Sequence, residues 1–400
     1  MKYKPFWLLS GIAGFIYCTL IGCGTENHTT SVKNMHTHSS VSHPNASHAT
    51  KSKTDSFPTT TPSKSVQTPQ VPHFTSINMV NEQIGWATGR NTVWYTKDGG
   101  LSWKAVTPPG FQSAPFLQMS MNAIGNQMAW IAASNGNSIA SPLSIYYTAN
   151  AGQSWVKQKI QATGYPMSLH FLDPDQGWIA LLQGAAAGSE GETIYHTYNG
   201  GMTWHTIAQT NQVKGGNLPF VGDKTGVSFV NAKVGWVTGF TALSGHIYFY
   251  RTTDGGYHWS LQILHVPNTF QNEQFTSFPP IFFGQQKGIL PVSYGIGLLV
   301  YRTNDGGNTW TSEQAVQSTE PNQAIQAWSF PNMKDGFVID GKQILTTSDG
   351  GQTWNSFTPN MTLKNVMDMQ FVSSTHGWIV MNTGTLFYTT DGGHFWNKDK

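Results

Sequence analysis

The chain has 400 residues, a formal net charge of +2, 10% charged and 13% aromatic residues, 42 Gly and only 2 Cys. So little charge, with no concentrated basic face, excludes the electrostatic footprint of a nucleic-acid binder. A composition rich in Gly and aromatics favours turn-rich sheet over a helical bundle, and two cysteines cannot build a disulfide scaffold.

The first predicted element is an address. Lys2 and Lys4 precede an uncharged apolar stretch from Phe6 to Leu20, which runs into Leu20-Ile21-Gly22-Cys23. A basic start and an apolar middle predict a secretory signal peptide over 1–22. Its ending resembles the lipobox of bacterial lipoproteins. That resemblance implies cleavage before Cys23, lipidation of its sulfur, and a protein held on the extracytoplasmic face of the cell membrane. Diacyl anchoring holds stably where one chain is marginal. Cys18 would leave with the signal, so the mature chain could form no internal disulfide. An uncleaved membrane helix and a plain signal peptide are the competing readings.

Residues 23–72 predict a disordered tether. Ser, Thr, Pro and His dominate and Phe57 is the only aromatic after Cys23, too little apolar surface to offset the ordering entropy. A flexible stretch of about 50 residues spans roughly 40 Å root-mean-square, enough to hold a head clear of a bilayer. His28, His36, His38, His43 and His48 raise weak metal binding against the plainer reading of a solvated spacer. No metal or other cofactor is assigned.

From residue 73 to the end, the chain repeats. Thr, a turn and Trp recur in one frame, beginning Thr96-Lys97-Asp98-Gly99-Gly100 and closing on Trp103, and again from Thr148, Thr197, Thr252, Thr303, Thr347 and Thr389. The third position is Asp98, Asn150, Asn199, Asp254, Asp305, Asp349 or Asp391. Gly-Gly supplies positive φ for a tight turn, and Asp or Asn can fold its side chain onto turn amides with the Thr hydroxyl. A second motif precedes each box, as Gly85-Trp86, Gly177-Trp178, Gly235-Trp236 or Gly377-Trp378, with alternating apolar runs such as Ser168-Leu169-His170-Phe171 upstream. Each unit therefore reads as four short antiparallel strands. Seven such units over 73–400 predict an all-β, seven-bladed propeller. How its two ends meet stays open.

The frame resembles the Asp-box, or BNR repeat, and these seven Asp and Asn residues are read as turn framework rather than catalytic groups. Units such as Val227 to Trp259 resemble the photosystem II stability/assembly factor family and its non-photosynthetic bacterial relatives, over roughly Phe74 to the end. The resemblance implies a propeller acting as an assembly chaperone at membranes, with no enzymatic activity. Photosynthetic members are associated with an arginine-bearing patch, whereas this chain has only Arg90, Arg251 and Arg302, the last two beside boxes at one repeat position.

Length variation falls on the face opposite the boxes, in Ser134–Pro142, Gln183–Glu192, Gln209–Thr225, Phe240–Gly245 and His265–Pro280. Insertions confined to one face mark a binding side. Tyr165, Phe220, Phe240, Phe270, Phe275, Phe278 and Tyr294 are the candidate contact residues for a protein partner of a monomeric scaffold. The alternative is a glycan-binding or sialidase-like glycoside-hydrolysing protein. Arg90 alone outside the framework cannot build an arginine triad, while a carboxylate pair drawn from Glu190, Asp223 and Glu273 stays open. Asp173-Pro174-Asp175 lacks the later acidic ligands of a calcium loop and reads as a turn.

Overall fold

The computed structural model describes residues 72–111, 118–134, 139–186, 189–210, 217–312 and 314–398. The signal segment, Cys23 and the tether as far as residue 71, its histidines included, lie outside the described residues.

The repeat region is all-β; the one helical element among the described residues is a 3-10 turn at Asn268–Phe270. Repeat one shows the plan: Phe74–Met79, Gly85–Gly89, Val93–Thr96 and Lys104–Ala105 pair antiparallel in chain order. Repeats two, three, six and seven repeat it as four-stranded sheets. Repeats four and five share one ten-stranded sheet, because Phe240 at the end of Gly235–Phe240 pairs with Thr276 of Phe275–Ser277. The first strand of repeat five is split by Pro279-Pro280 into Phe275–Ser277 and Ile281–Phe283, as expected where two residues lack a ladder N–H.

The Gly-Trp motif has a steric cause. Its Gly lies opposite the box Thr in register, as in Gly85↔Thr96, Gly235↔Thr252 and Gly377↔Thr389. A Cβ on Gly235 would sit 2.5 Å from the Phe229 ring, and one on Gly377 2.5 Å from Phe371. The exception explains itself. Repeat two has Ala129 there, and its partner across the ladder is Ala123 rather than Phe. Glycine is needed only where the first strand ends in a large side chain.

That terminal Phe is also a joint. Trp130 stacks on Phe171 of the next repeat with centroids 4.0 Å apart, and Trp178 stacks on Phe229 at 3.9 Å. Box tryptophans meet the same rings edge-on, Trp204 against Phe171 and Trp259 against Phe229. The core is accordingly distributed among the junctions between sheets. One apolar cluster joins repeat one to two through Trp86, Ile131 and Tyr146, and comparable clusters follow at each later junction. The last joins repeat seven to one, with Trp378 and Val380 packed among Phe74, Ile77 and Trp94. Burying such apolar faces is the dominant favourable term in folding.

The ends meet without sharing a strand. Repeat seven supplies its own short outer strand, Asn397–Lys398. Closure rests instead on one main-chain bond, Phe74 N–H to the Gly384 carbonyl at 3.0 Å, and on side chains of the first strands: Asp368 Oδ2 accepts the Ile77 N–H at 2.9 Å, and Gln370 bonds both the N–H and the carbonyl of Met79.

Candidate functional site

The two faces of the repeat region differ in what they leave free. On the box side, the Thr hydroxyl donates to the Asp or Asn Oδ1 at 2.8–3.0 Å in all seven copies. It accepts the N–H of the second Gly at 2.8–3.0 Å. The same Oδ1 takes a backbone N–H four residues on, as at Ser102, His258 and Phe395. The amide before that Gly reaches the preceding hairpin: Gly99 to Gln83, Gly255 to Lys233, Gly392 to Thr375, each within 2.9 Å. Burial nudges the Asp254 and Asp305 carboxyls upward, but hydrogen bonds, led by His258 and Thr309 respectively, hold each down to about 2. Carboxylates so engaged are poor proton donors or nucleophiles. Asp98, Asn150, Asn199, Asp254, Asp305, Asp349 and Asp391 are turn framework.

The arginines beside the boxes are framework too. Arg302 donates to the carbonyls of Gly350 and Met333, and Arg251 Nη2 donates to Asn308 Oδ1 at 2.6 Å, each into the following repeat.

On the opposite face, the aromatic candidates divide. Phe275 is fully buried, and Phe278 and Tyr294 are at most 6% exposed, each inside a junction cluster. They are not exposed surface. The insert His265–Pro280 contains the strand Phe275–Ser277, whose residues must cover the neighbouring sheet. Phe270 follows them inward, packing on Tyr294 with centroids 4.7 Å apart. Tyr165, Phe220 and Phe240 are half-buried at the edge of the face. Gln183–Glu192 is likewise strand over much of its length, a long hairpin ending in the pair Ala186↔Ser189.

The acidic residues of this face gather in part. Glu190 and Glu192 are buried, and so is Lys224, whose Nζ donates to the carbonyls of Phe220, Val221 and Gly222 at 3.3, 3.2 and 2.7 Å. The Lys224 amide donates to Glu190 Oε2 at 2.8 Å. The ammonium also lies over the Tyr248 ring, 4.8 Å from its centroid. Burial pushes Glu192 upward, with Lys224 pulling it down. Half-burial raises Asp223, again opposed by Lys224. Glu273 stands elsewhere, its charge felt by Tyr294. Glu190 and Lys224 thus pin the insert to the wall, while the buried Glu192 carboxyl oxygens have no hydrogen-bond partner among the described residues and face no open cleft. Sequence reading overlooks Lys224 and Tyr248, which carry no motif. The sole hint is a lysine placed just before the apolar positions Val227 and Phe229 of one strand. Among the described residues, no group of three or more His, Cys, Asp or Glu could hold a metal ion.

Several known proteins are similar to this chain. The photosystem II assembly protein Ycf48 of Synechococcus sp. (strain JA-2-3B'a(2-13)) is 24% identical over 316 residues, covering 76% of this chain and 80% of its own. The chloroplastic photosystem II stability/assembly factor HCF136 of Arabidopsis thaliana is 24% identical over 300 residues, covering 64% and 70%. The chain resembles the photosystem II assembly factors. A family model described as Sortilin, neurotensin receptor 3, matches residues 299–399. Among solved structures, YCF48 bound to D1 peptide is 17% identical with a TM-score of 0.54, covering 81% of this chain and 94% of that one. The GH74 xyloglucanase of Xanthomonas campestris is 12% identical with a TM-score of 0.52, covering 81% and 54%. Likeness at these identities establishes the β-propeller fold alone.

Proposed function

We propose that this protein is a non-catalytic propeller that binds a polypeptide segment and assists assembly of a membrane protein complex. In this reading lipidated Cys23 holds it on the extracytoplasmic face of the cell membrane. The observation that carries the reading is the similarity to Ycf48, which runs through 76% of the chain and so covers most of the repeat region. A relative with the same fold is titled as bound to a D1 peptide, which makes a polypeptide the natural class of ligand. The engaged box carboxylates and the buried Glu190 and Glu192 supply no exposed acid pair for glycoside hydrolysis. The partner side is the face opposite the boxes, with Tyr165, Phe220 and Phe240 at its edge.

The test is photo-cross-linking in cells. A cross-linking residue at Phe240 should capture one or a few membrane proteins that the same residue at box-side Ser102 does not capture. Equal capture from both positions, or none from Phe240, would overturn the reading. Fatty-acid labelling that persists in Cys23→Ala would separately remove the anchor.

A further inference from the structure

Where the first strands of repeats five, six and seven come together, a cavity of about 170 Å³ opens between them. Its origin is local. The proline pair makes the ladder of repeat five jump from Ser277↔Val292 to Ile281↔Ile289, with one more residue on the first strand than on its partner. Such a bulge bends the strand away from its neighbour. Phe278, Trp328, Phe330 and Phe371 form the walls, and Phe278 meets Trp328 edge to face at 4.7 Å. Pro279, Ile281 and Gln370 are half-buried and form the rim.

The polar side chains of the lining are already occupied. Ser329 Oγ accepts the Phe371 N–H at 2.8 Å, and the Gln370 amide is tied at both ends to Met79. No lining residue carries a charge. Main-chain polar atoms also face the cavity, so the discrimination falls mainly on charge: a charged guest would leave water and find no counter-charge, whereas an apolar guest gains contact with the aromatic walls. An apolar cavity of about 150 Å³ is known to hold a benzene. This one therefore has room for a single ring or a branched aliphatic group.

We propose that the cavity receives one apolar side chain of the polypeptide segment that the protein binds. This rests on the protein-binding reading above. A half-buried rim lets the guest stay joined to a chain outside, and anchor side chains in desolvated pockets commonly dominate such binding.

The test uses the full chain carrying ¹³C-methyl methionine, because Met369 lines the cavity and reports on it directly. The probes are the acetylated, amidated pentapeptides Ala-Ala-Phe-Ala-Ala, its all-Ala form and its central-Asp form, together with toluene. The Phe peptide should move the Met369 methyl signal saturably, at least tenfold more tightly than the all-Ala form, and the Asp form should not move it. Ile281→Trp, a filling change at the rim, should abolish the shift while the Met202 signal stays as in the wild type. Toluene should compete with the Phe peptide. A response to toluene alone would mean a closed void and overturn the proposal, as would no response to any probe. Capture of a protein at Phe240 with a silent Met369 would sink the anchor site but leave the protein-binding reading standing. A Met369 response with nothing captured at Phe240 would overturn the partner reading, and with it the claim that the guest belongs to a bound polypeptide, leaving only a cavity that admits apolar groups.

Discussion

Trp378 donates its indole N–H to the Gly99 carbonyl at 2.8 Å, joining positions 279 residues apart. The same bond recurs inside the series, from Trp130 to Gly200 and from Trp178 to Gly255, where neighbouring repeats are also linked by the chain. At the junction of repeats seven and one no peptide link assists, so opening there sacrifices only non-covalent contacts.

Trp378→Phe removes the donor, a net hydrogen bond of about 0.5–1.5 kcal/mol, and also shrinks a buried indole to a phenyl ring. The expected result is a loss somewhat larger than the hydrogen-bond contribution alone. Faster amide exchange should follow in Phe74–Met79 and Val366–Phe371, with little change in Asp223–Phe229. Uniform acceleration throughout the repeats would show that this junction is no weaker than the others.

Asp368 sits in the same junction, 4% exposed, with Oδ1 lacking a partner while Oδ2 accepts from Ile77. Burial pushes its carboxyl up to about 6, above the ordinary value of 3.8. A raised folded-state value means the folded protein binds the proton more tightly than the unfolded one. Its contribution is therefore full below about pH 4 and is lost as pH rises through 6, by about 3 kcal/mol at most. Asp254 and Asp305, held near 2, act oppositely and only in more acidic solution, their stabilisation fading as pH falls from 4 towards 2. Urea melts of Asp368→Asn should lack the decline between pH 4 and 7 and should show higher stability than the wild type at pH 7.5. An unchanged pH slope would contradict this.

In the boxes, the hydroxyl matters more than the charge. Thr252→Val strands the buried Gly256 N–H, which now donates to Oγ1 at 2.9 Å, and should cost about 1–3 kcal/mol. Asp254→Asn preserves the Oδ1 acceptor that Asn150 and Asn199 use, so it should cost under about 1 kcal/mol. Thermal melts of both variants decide the order. A larger loss from the Asn variant would mean the carboxylate charge has a role beyond the turn.

Gly235→Ala should fail for a reason written in repeat two. The added methyl would meet the Phe229 ring at 2.5 Å, and overpacking of this kind costs about 1–3 kcal/mol. Phe229→Ala alone opens a cavity of greater cost, about 3–5 kcal/mol. The double variant reproduces the Ala123–Ala129 pairing and should be less destabilised than the two losses summed. Strict additivity in a double-mutant cycle would remove the steric account of the motif.

The strand plan was legible because Gly-Gly turns and Gly-Trp pairs impose local geometry that any copy must satisfy, and seven copies vote together. The interior of the inserts was not. Phe275 and Tyr294 among polar neighbours have one composition whether they meet water or the next sheet, and only long-range packing decides. The Lys224–Glu190 contact and the Asp368–Ile77 bond are single events between distant residues, so no period announces them. Pro279-Pro280 breaks its strand by a local rule, but the space it opens depends on Trp328 and Phe371 from other repeats.

The pairing of Phe240 with Thr276 gives the circle of sheets an uneven stiffness. A strand pairing fastens repeat four to repeat five, whereas repeats seven and one are fastened mainly by side chains, with the Phe74 N–H donating to the Gly384 carbonyl at 3.0 Å. A hinge and a clasp on one bracelet would respond in this way: strain applied anywhere is released at the clasp, and the hinged half keeps its shape.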